Sequence, residues 1–380
     1  MTTCKAGGDQ ISRGVDLAGR LLDSRSRRRW LTAETLRAFL LFACATSQMG
    51  AKGDKNLIQL LRGIYRFVLT IAMILGIARA ETNGSPVSGL DVYLHPQTVA
   101  VLPDGRKVHF FCTGEGTPTA ILDAGWGSWS TSWRAFQPKV AQFTRVCAFD
   151  RPGYGFSDPG PLPRDTAATV ADLHAGLHAA GLASPYVLVG HSLAGFDVRL
   201  FAYDYPDEVA GLLLIDPPTE KIYQRDRAPD EDLDSVRNCI AIAKIRRLVV
   251  NDKDGCIESP SLDWSNEMQA HQIEVGSKLT YFETELSEDL SMVGTSADEV
   301  AAARHDLGNL PLILLQADSS PENERSKELR DQARDSARGQ YRIVKGARHY
   351  IYVDKPDMVV AAFREIINSA REGSGPPQHQ

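Results

Sequence analysis

The chain has 380 residues, of which 43% are hydrophobic and 24% charged, with a net charge of -6 and a pI near 5.9. This is the composition of an ordinary globular protein and excludes a disordered or collagen-like chain, while a mean hydropathy of -0.23 excludes a polytopic membrane protein. The whole-chain basic footprint of a nucleic-acid binder is absent, and the length allows two to three domains or one large α/β domain with an insertion.

Charge is unevenly distributed. Residues 1–48 carry 8 basic and 4 acidic side chains and residues 49–80 carry 5 and 1, so the remaining 300 residues have a net charge of -14. Within the basic leader, residues 67–78 (FVLTIAMILGIA) form an uncharged run of twelve. A membrane-spanning helix needs about 20 apolar residues, whereas a secretory signal core needs roughly 7–15. Lys52, Lys55, Arg62 and Arg66 precede the run, and Ala78-Arg79-Ala80 follows it as an A-x-A cleavage pattern. The expectation is a basic leader over 1–80 with a signal peptide or uncleaved anchor at 49–80, translation from Met49, a first mature residue at Glu81, and export. Membrane contact, if any, comes through this leader. Residues 81–90 read as a polar linker.

From Val92 onward short apolar runs alternate with helical stretches. The runs are 108–112 (VHFFC), 119–123 (TAILD), 145–149 (RVCAF), 186–189 (YVLV), 211–215 (GLLLI), 312–315 (LILL) and 341–344 (YRIV). Continuous runs of this length suit strands buried on both faces. Helices are expected over 166–181, 193–205 and 356–371, the last with Met358, Val359, Ala362, Phe363, Ile366 and Ile367 on one stripe. The alternation predicts an α/β fold with a mainly parallel sheet. Residues 217–310 break it, with few strand signals and helical patterns at 236–248 and 297–306. So long a stretch between two buried strands is expected to be a helical insertion acting as a lid. The core then comprises 91–216 and 311–372, and the tail 373–380 (GSGPPQHQ) reads as disordered.

The chemistry centres on Gly190-His191-Ser192-Leu193-Ala194-Gly195, where an apolar run meets a turn that opens a helix. That is the context of a nucleophile elbow, which needs small residues two places either side of the serine; here they are Gly190 and Ala194. Upstream, Asp123-Ala-Gly125-Trp126-Gly127 ends a strand at a glycine-rich turn able to aim the Trp126 backbone N–H at an oxyanion. The N–H of Leu193 is the expected second donor. The run 150–157 (DRPGYGFS) is assigned structural and pocket-edge duties. Serine needs a base, and His349 in 346–350 (GARHY), just past the last apolar run, is the candidate. His191 is expected to point away on the tight turn. His174 and His178, four residues apart on one helical face, permit a metal site, but no acidic helper lies between them, and a surface or core role is expected.

The ordered motifs DAGWG, DRPGYGFSDP, GHSLAG and GARHYIYVDKP resemble the α/β-hydrolase superfamily over about residues 92–371. The resemblance implies an eight-stranded, mostly parallel sheet, a lid after strand six, acyl-transfer chemistry, and no metal or organic cofactor. It places the catalytic acid after strand six or seven: Asp216 or Asp318, with Glu322 a further option. It puts strand two beside strand four, making Cys112 and Cys147 neighbours, either as packed thiols or as a disulfide. Cys239 and Cys256 are positioned to staple the lid. Trp126, Trp129 and Trp133 cluster near the oxyanion turn as pocket-lining or packing residues. The expected activity is hydrolysis of a small or medium hydrophobic ester. The rivals are an acyltransferase or lyase on the same scaffold and a ligand-binding module with little turnover.

Overall fold

The computed structural model describes residues 91–225, 231–245, 255–257, 260–261, 264–318 and 323–373. The expected leader and linker, the tail beyond 373, and Glu322 lie outside the described residues. One sheet of eight strands organises the described chain: β1 (Thr98–Val101), β2 (Lys107–Thr113), β3 (Thr119–Asp123), β4 (Val146–Asp150), β5 (Tyr186–His191), β6 (Val209–Ile215), β7 (Leu312–Ala317) and β8 (Gly339–Val344). Their spatial order is β1-β2-β4-β3-β5-β6-β7-β8. The β1–β2 and β2–β4 pairs are antiparallel and the rest parallel. Seven strands grow from the seven apolar runs. The short β1 has half-exposed alternation, which is why no continuous apolar run marks it.

The helices are α1 (Gln137–Val140), α2 (Thr166–Ala179), α3 (Ala194–Asp204), α4 (Glu220–Arg225), α5 (Glu231–Ile245), α6 (Asn266–Gly276), α7 (Leu279–Met292), α8 (Thr295–Ala303), α9 (Glu324–Ala333), α10 (Ile351–Asp354) and α11 (Pro356–Gly373). Central strands send alternate residues into two cores, as a period of two requires. Ile121, Leu188, Leu212 and Leu314 pack with Leu173 and Leu177 of α2 and Phe196 and Phe201 of α3. Leu122, Val189, Leu213 and Leu315 pack with Val140 of α1 and Phe363 and Ile366 of α11. Burial on both faces accounts for the unbroken apolar runs of the central strands, whereas the edge strand β8 is only partly buried. Helix ends follow local chemistry: Asp165 caps α2 by accepting from the Ala168 N–H, and Gly181 at φ +65° ends it.

Between β6 and β7 the described chain is helical, α4 to α8, with no strand. Cys239 of α5 is joined to Cys256 within this insertion. Cys112 and Cys147 stand opposite each other in the β2–β4 register and are also joined. Of the two alternatives for Cys112 and Cys147, the disulfide is the one formed, and the Cys239–Cys256 bridge lies within the insertion. No helix among the described residues is long and apolar enough to cross a membrane.

Candidate active site

Three strand ends converge. Ser192 follows β5 in the left-handed region at φ +52°, a conformation costing about 1–2 kcal/mol in a non-glycine residue. Its surroundings hold it there. The Ser192 N–H donates to Ile215 O at 3.0 Å, and its carbonyl accepts from the Gly195 N–H at 2.7 Å. A Cβ on Gly190 would lie 2.4 Å from the Ala194 carbonyl oxygen, so the strand-to-helix turn closes only over a glycine. Asp216 follows β6, also left-handed at φ +47°, with its N–H on Leu315 O at 2.7 Å. His349 sits in the loop after β8, which Arg348 steadies through Asp354.

His349 bridges the other two residues. Its Nε2 is 2.9 Å from Ser192 Oγ and its Nδ1 is 2.7 Å from Asp216 Oδ2. The second Asp216 oxygen accepts from the Ala317 N–H and from Arg325, each at 3.0 Å. Burial of Asp216 works to raise its carboxyl, but the His349 hydrogen bond and the Arg325 charge outweigh it and hold the pKa below the usual carboxylate value. The Asp216 side chain is 6% exposed and the His349 side chain 47%, so the carboxylate is enclosed while the imidazole meets solvent.

Asp318 does not join this group. Its carboxylate accepts from Lys345 Nζ at 3.1 Å and from the Gly346 N–H at 3.2 Å. One residue past the end of β7 it is already in the adjoining turn, whereas Asp216 is aimed at His349 by its left-handed backbone. His191 also departs from expectation. It does not point away: its Nε2 meets the His349 carbonyl at 3.1 Å, and the two rings lie 4.7 Å apart. Burial, reinforced by neighbouring His349, pushes its pKa down to about 3, so it stays neutral beside the bridge.

The turn after β3 lies against Ser192. A Cβ on Gly125 would lie 3.1 Å from Ser192 Cβ. Outside helices and strands, no backbone hydrogen bond of the described residues uses the N–H of Trp126 or of Leu193. One of these N–H groups follows β3 and the other follows β5. The turn is fastened from behind by fully buried Arg151, which donates to Asp123 Oδ1 at 2.8 Å, to the Ala124 carbonyl, to Gly125 O at 2.9 Å, and to Glu288 of α7 at 2.8 Å. Burial opposes the charge on Arg151, but the Glu288 and Asp123 carboxylates outweigh it and raise the pKa well above the ordinary value. Helix α7 also closes over the turn: Trp126 Nε1 donates to Glu285 O at 2.8 Å, and Tyr281 Oη to Gly127 O at 3.0 Å.

The tryptophans separate. Trp126 is partly exposed beside the insertion. Trp129 is buried between Tyr154, Val275 and Tyr281. Trp133 is fully buried, its ring 4.7 Å from that of Tyr352. Trp133 is therefore core packing, and Trp129 packs beneath the insertion. Sequence reading missed Arg325, Glu285 and Glu288, which lie in helices with no motif around them. Arg151 sat inside a noticed motif, but its reach to two carbonyls depends on the fold.

A family model described as the alpha/beta hydrolase family matches residues 114–362, well over half of the chain. The chain is 30% identical over 149 residues to "Probable transporter efuK" of Hormonema carpetanum, covering 38% of this chain and 20% of that protein. It is 32% identical over 137 residues to a 2-hydroxy-6-oxononadienedioate/2-hydroxy-6-oxononatrienedioate hydrolase of Burkholderia vietnamiensis, covering 33% of this chain and 47% of that one. These alignments span less than half the length of either relative. Among solved structures, the epoxide hydrolase CorEH superposes with a TM-score of 0.55 at 19% identity, over 71% of this chain and 97% of that chain. At that identity the likeness is one of fold.

Proposed function

The chain belongs to the alpha/beta hydrolase family, and from that premise we propose that it is a serine hydrolase cleaving a small or medium hydrophobic ester through an acyl-enzyme on Ser192. The observation that carries the reading is the bridge made by His349 between Ser192 Oγ at 2.9 Å and Asp216 Oδ2 at 2.7 Å. Ser192 Oγ bonds to the ester carbonyl carbon while its proton passes to His349 Nε2. Asp216 holds the Nδ1–H tautomer and stabilises the imidazolium. The carbonyl electron pair moves to oxygen, which the Trp126 and Leu193 N–H groups receive. Collapse expels the alkoxide, which takes the proton from His349. Water, deprotonated by His349, then releases the acid and restores Ser192.

A hydrophobic acyl or alcohol group suits the approach, because partly exposed Trp126 and the exposed Tyr350 ring, 5.5 Å from that of His349, flank it. The helical insertion, whose α7 covers the oxyanion turn, serves as the lid. Export to an oxidising compartment belongs to the same reading and is supported by the two disulfides.

The test is labelling of the full-length protein with a fluorophosphonate probe, beside Ser192→Ala. Wild type alone should label, and a series of esters of increasing acyl length then sets the substrate range. A folded wild type that does not label would overturn the proposal and favour a ligand-binding module.

A further inference from the structure

We propose that His174, His178 and Glu208 form a binding site for a zinc-type divalent cation, remote from Ser192. The two histidines lie one turn apart on α2. Glu208 belongs to the short 3-10 segment Pro206–Glu208 that runs directly into β6. The acidic helper missing between the histidines thus comes from a segment 30 residues further along, brought in by the packing of α2 beside α3.

The geometry has the size of a coordination face. His174 Nε2 is 3.0 Å from Glu208 Oε1, His178 Nε2 is 3.2 Å from the same oxygen, and the two Nε2 atoms are 3.1 Å apart. Ligands held at about 2.0–2.1 Å by a tetrahedral zinc stand roughly 3.3 Å from one another. A cation at the centre of the three atoms would be met by two imidazole nitrogens and a carboxylate oxygen, a donor set that suits zinc.

The ring positions are set from outside the triangle. His174 stacks on Tyr205 with centroids 3.8 Å apart and planes 3° from parallel. The His178 side chain is 55% exposed, which leaves the outer side open for a water or exchangeable ligand. The site lies at the end where β6 begins, whereas Asp216 follows the end where β6 stops. A cation there joins α2 to the entry of β6 and takes no part in the chemistry at Ser192.

The experiment titrates the full-length protein with zinc chloride against a chromophoric chelator and follows thermal unfolding, for wild type, His178→Ala and Glu208→Gln. Wild type should bind one more zinc per chain than either variant. At about 100-fold excess over Kd its midpoint should rise by roughly 5 °C, with no such rise in the variants. Cobalt in place of zinc should give a tetrahedral absorption band in wild type alone, and fluorophosphonate labelling should be equal in all three proteins. Equal zinc stoichiometry in wild type and both variants, including none in any, would overturn the site. The metal-free midpoints check that both variants fold, as expected from the exposed position of His178.

Discussion

Asp216 shows how much one carboxylate carries. One oxygen holds His349 and the other is taken by Arg325 and the Ala317 N–H, so the group is fully hydrogen-bonded while nearly buried. On the proposed mechanism, Asp216→Asn keeps its oxygen toward Arg325 and Ala317, turns an amide NH2 donor toward His349 Nδ1, and should lower kcat by about 10³–10⁴-fold. Asp318→Asn should change kcat less than about twofold, because among the described residues that carboxylate meets only Lys345 and the Gly346 N–H. Steady-state kinetics on one ester decides between them; the reverse ranking would return the acid to Asp318. The same contacts explain why the sequence left this choice open. Both aspartates follow apolar runs, and only the left-handed φ of +47° at Asp216 and the position of the His349 loop distinguish them.

At the scale of elements, the turn after β3 is held between β4 and α7. Arg151 closes this junction by pairing with Asp123 on one side and Glu288 on the other. Arg151→Leu would leave two buried carboxylates unpaired and should cost about 3–5 kcal/mol of stability, read from denaturant unfolding. A loss under 1 kcal/mol would show that the carboxylates find other partners or protons. The Cys239–Cys256 disulfide, with a sequence separation of 17, constrains the insertion that carries α7. Replacing both cysteines with serine should destabilise by about 3 kcal/mol on the loop-entropy account. Thiol counting on the unreduced, denatured protein should find no reactive thiol at Cys112, Cys147, Cys239 or Cys256; four would exclude both bridges.

For the whole molecule, the seam between insertion and core makes stability depend on pH. Burial, then the neighbouring Glu288 charge, raises the Glu285 pKa from 4.5 to about 7. The folded state therefore binds this proton more tightly than the unfolded chain. The stabilisation is fully present below about pH 4.5 and is lost as pH rises through about 7. Glu285→Gln should remove this decline, on the order of 1–3 kcal/mol between those limits, as measured by urea unfolding at successive pH values. A mutant curve with the wild-type slope would assign the pH dependence to other groups. The effect belongs to the assembled molecule, because Glu285 and Glu288 are brought against the core turn only when α7 closes over it.

The sequence alone determined the strand and helix alternation, the tight strand-to-helix turn at Ser192, the place of His349 just past the last apolar run, and the helical stretch between the runs at 211–215 and 312–315. These are local signals. Apolar runs of the central strands reflect burial on both faces, small residues at Gly190 and Ala194 reflect a close turn, and both act over a few neighbouring positions. Tertiary structure decided what depends on distance across the fold: Asp216 rather than Asp318 beside His349, Trp133 as core packing, Arg151 behind the turn after β3, and Glu208 beside His174 and His178. In each case the deciding partner comes from another element, 28 residues away for Arg151 and Asp123 and 133 for His349 and Asp216. Periodicity and composition carry no record of such pairings, which exist only once the strands have fixed their order and the helices have packed against them.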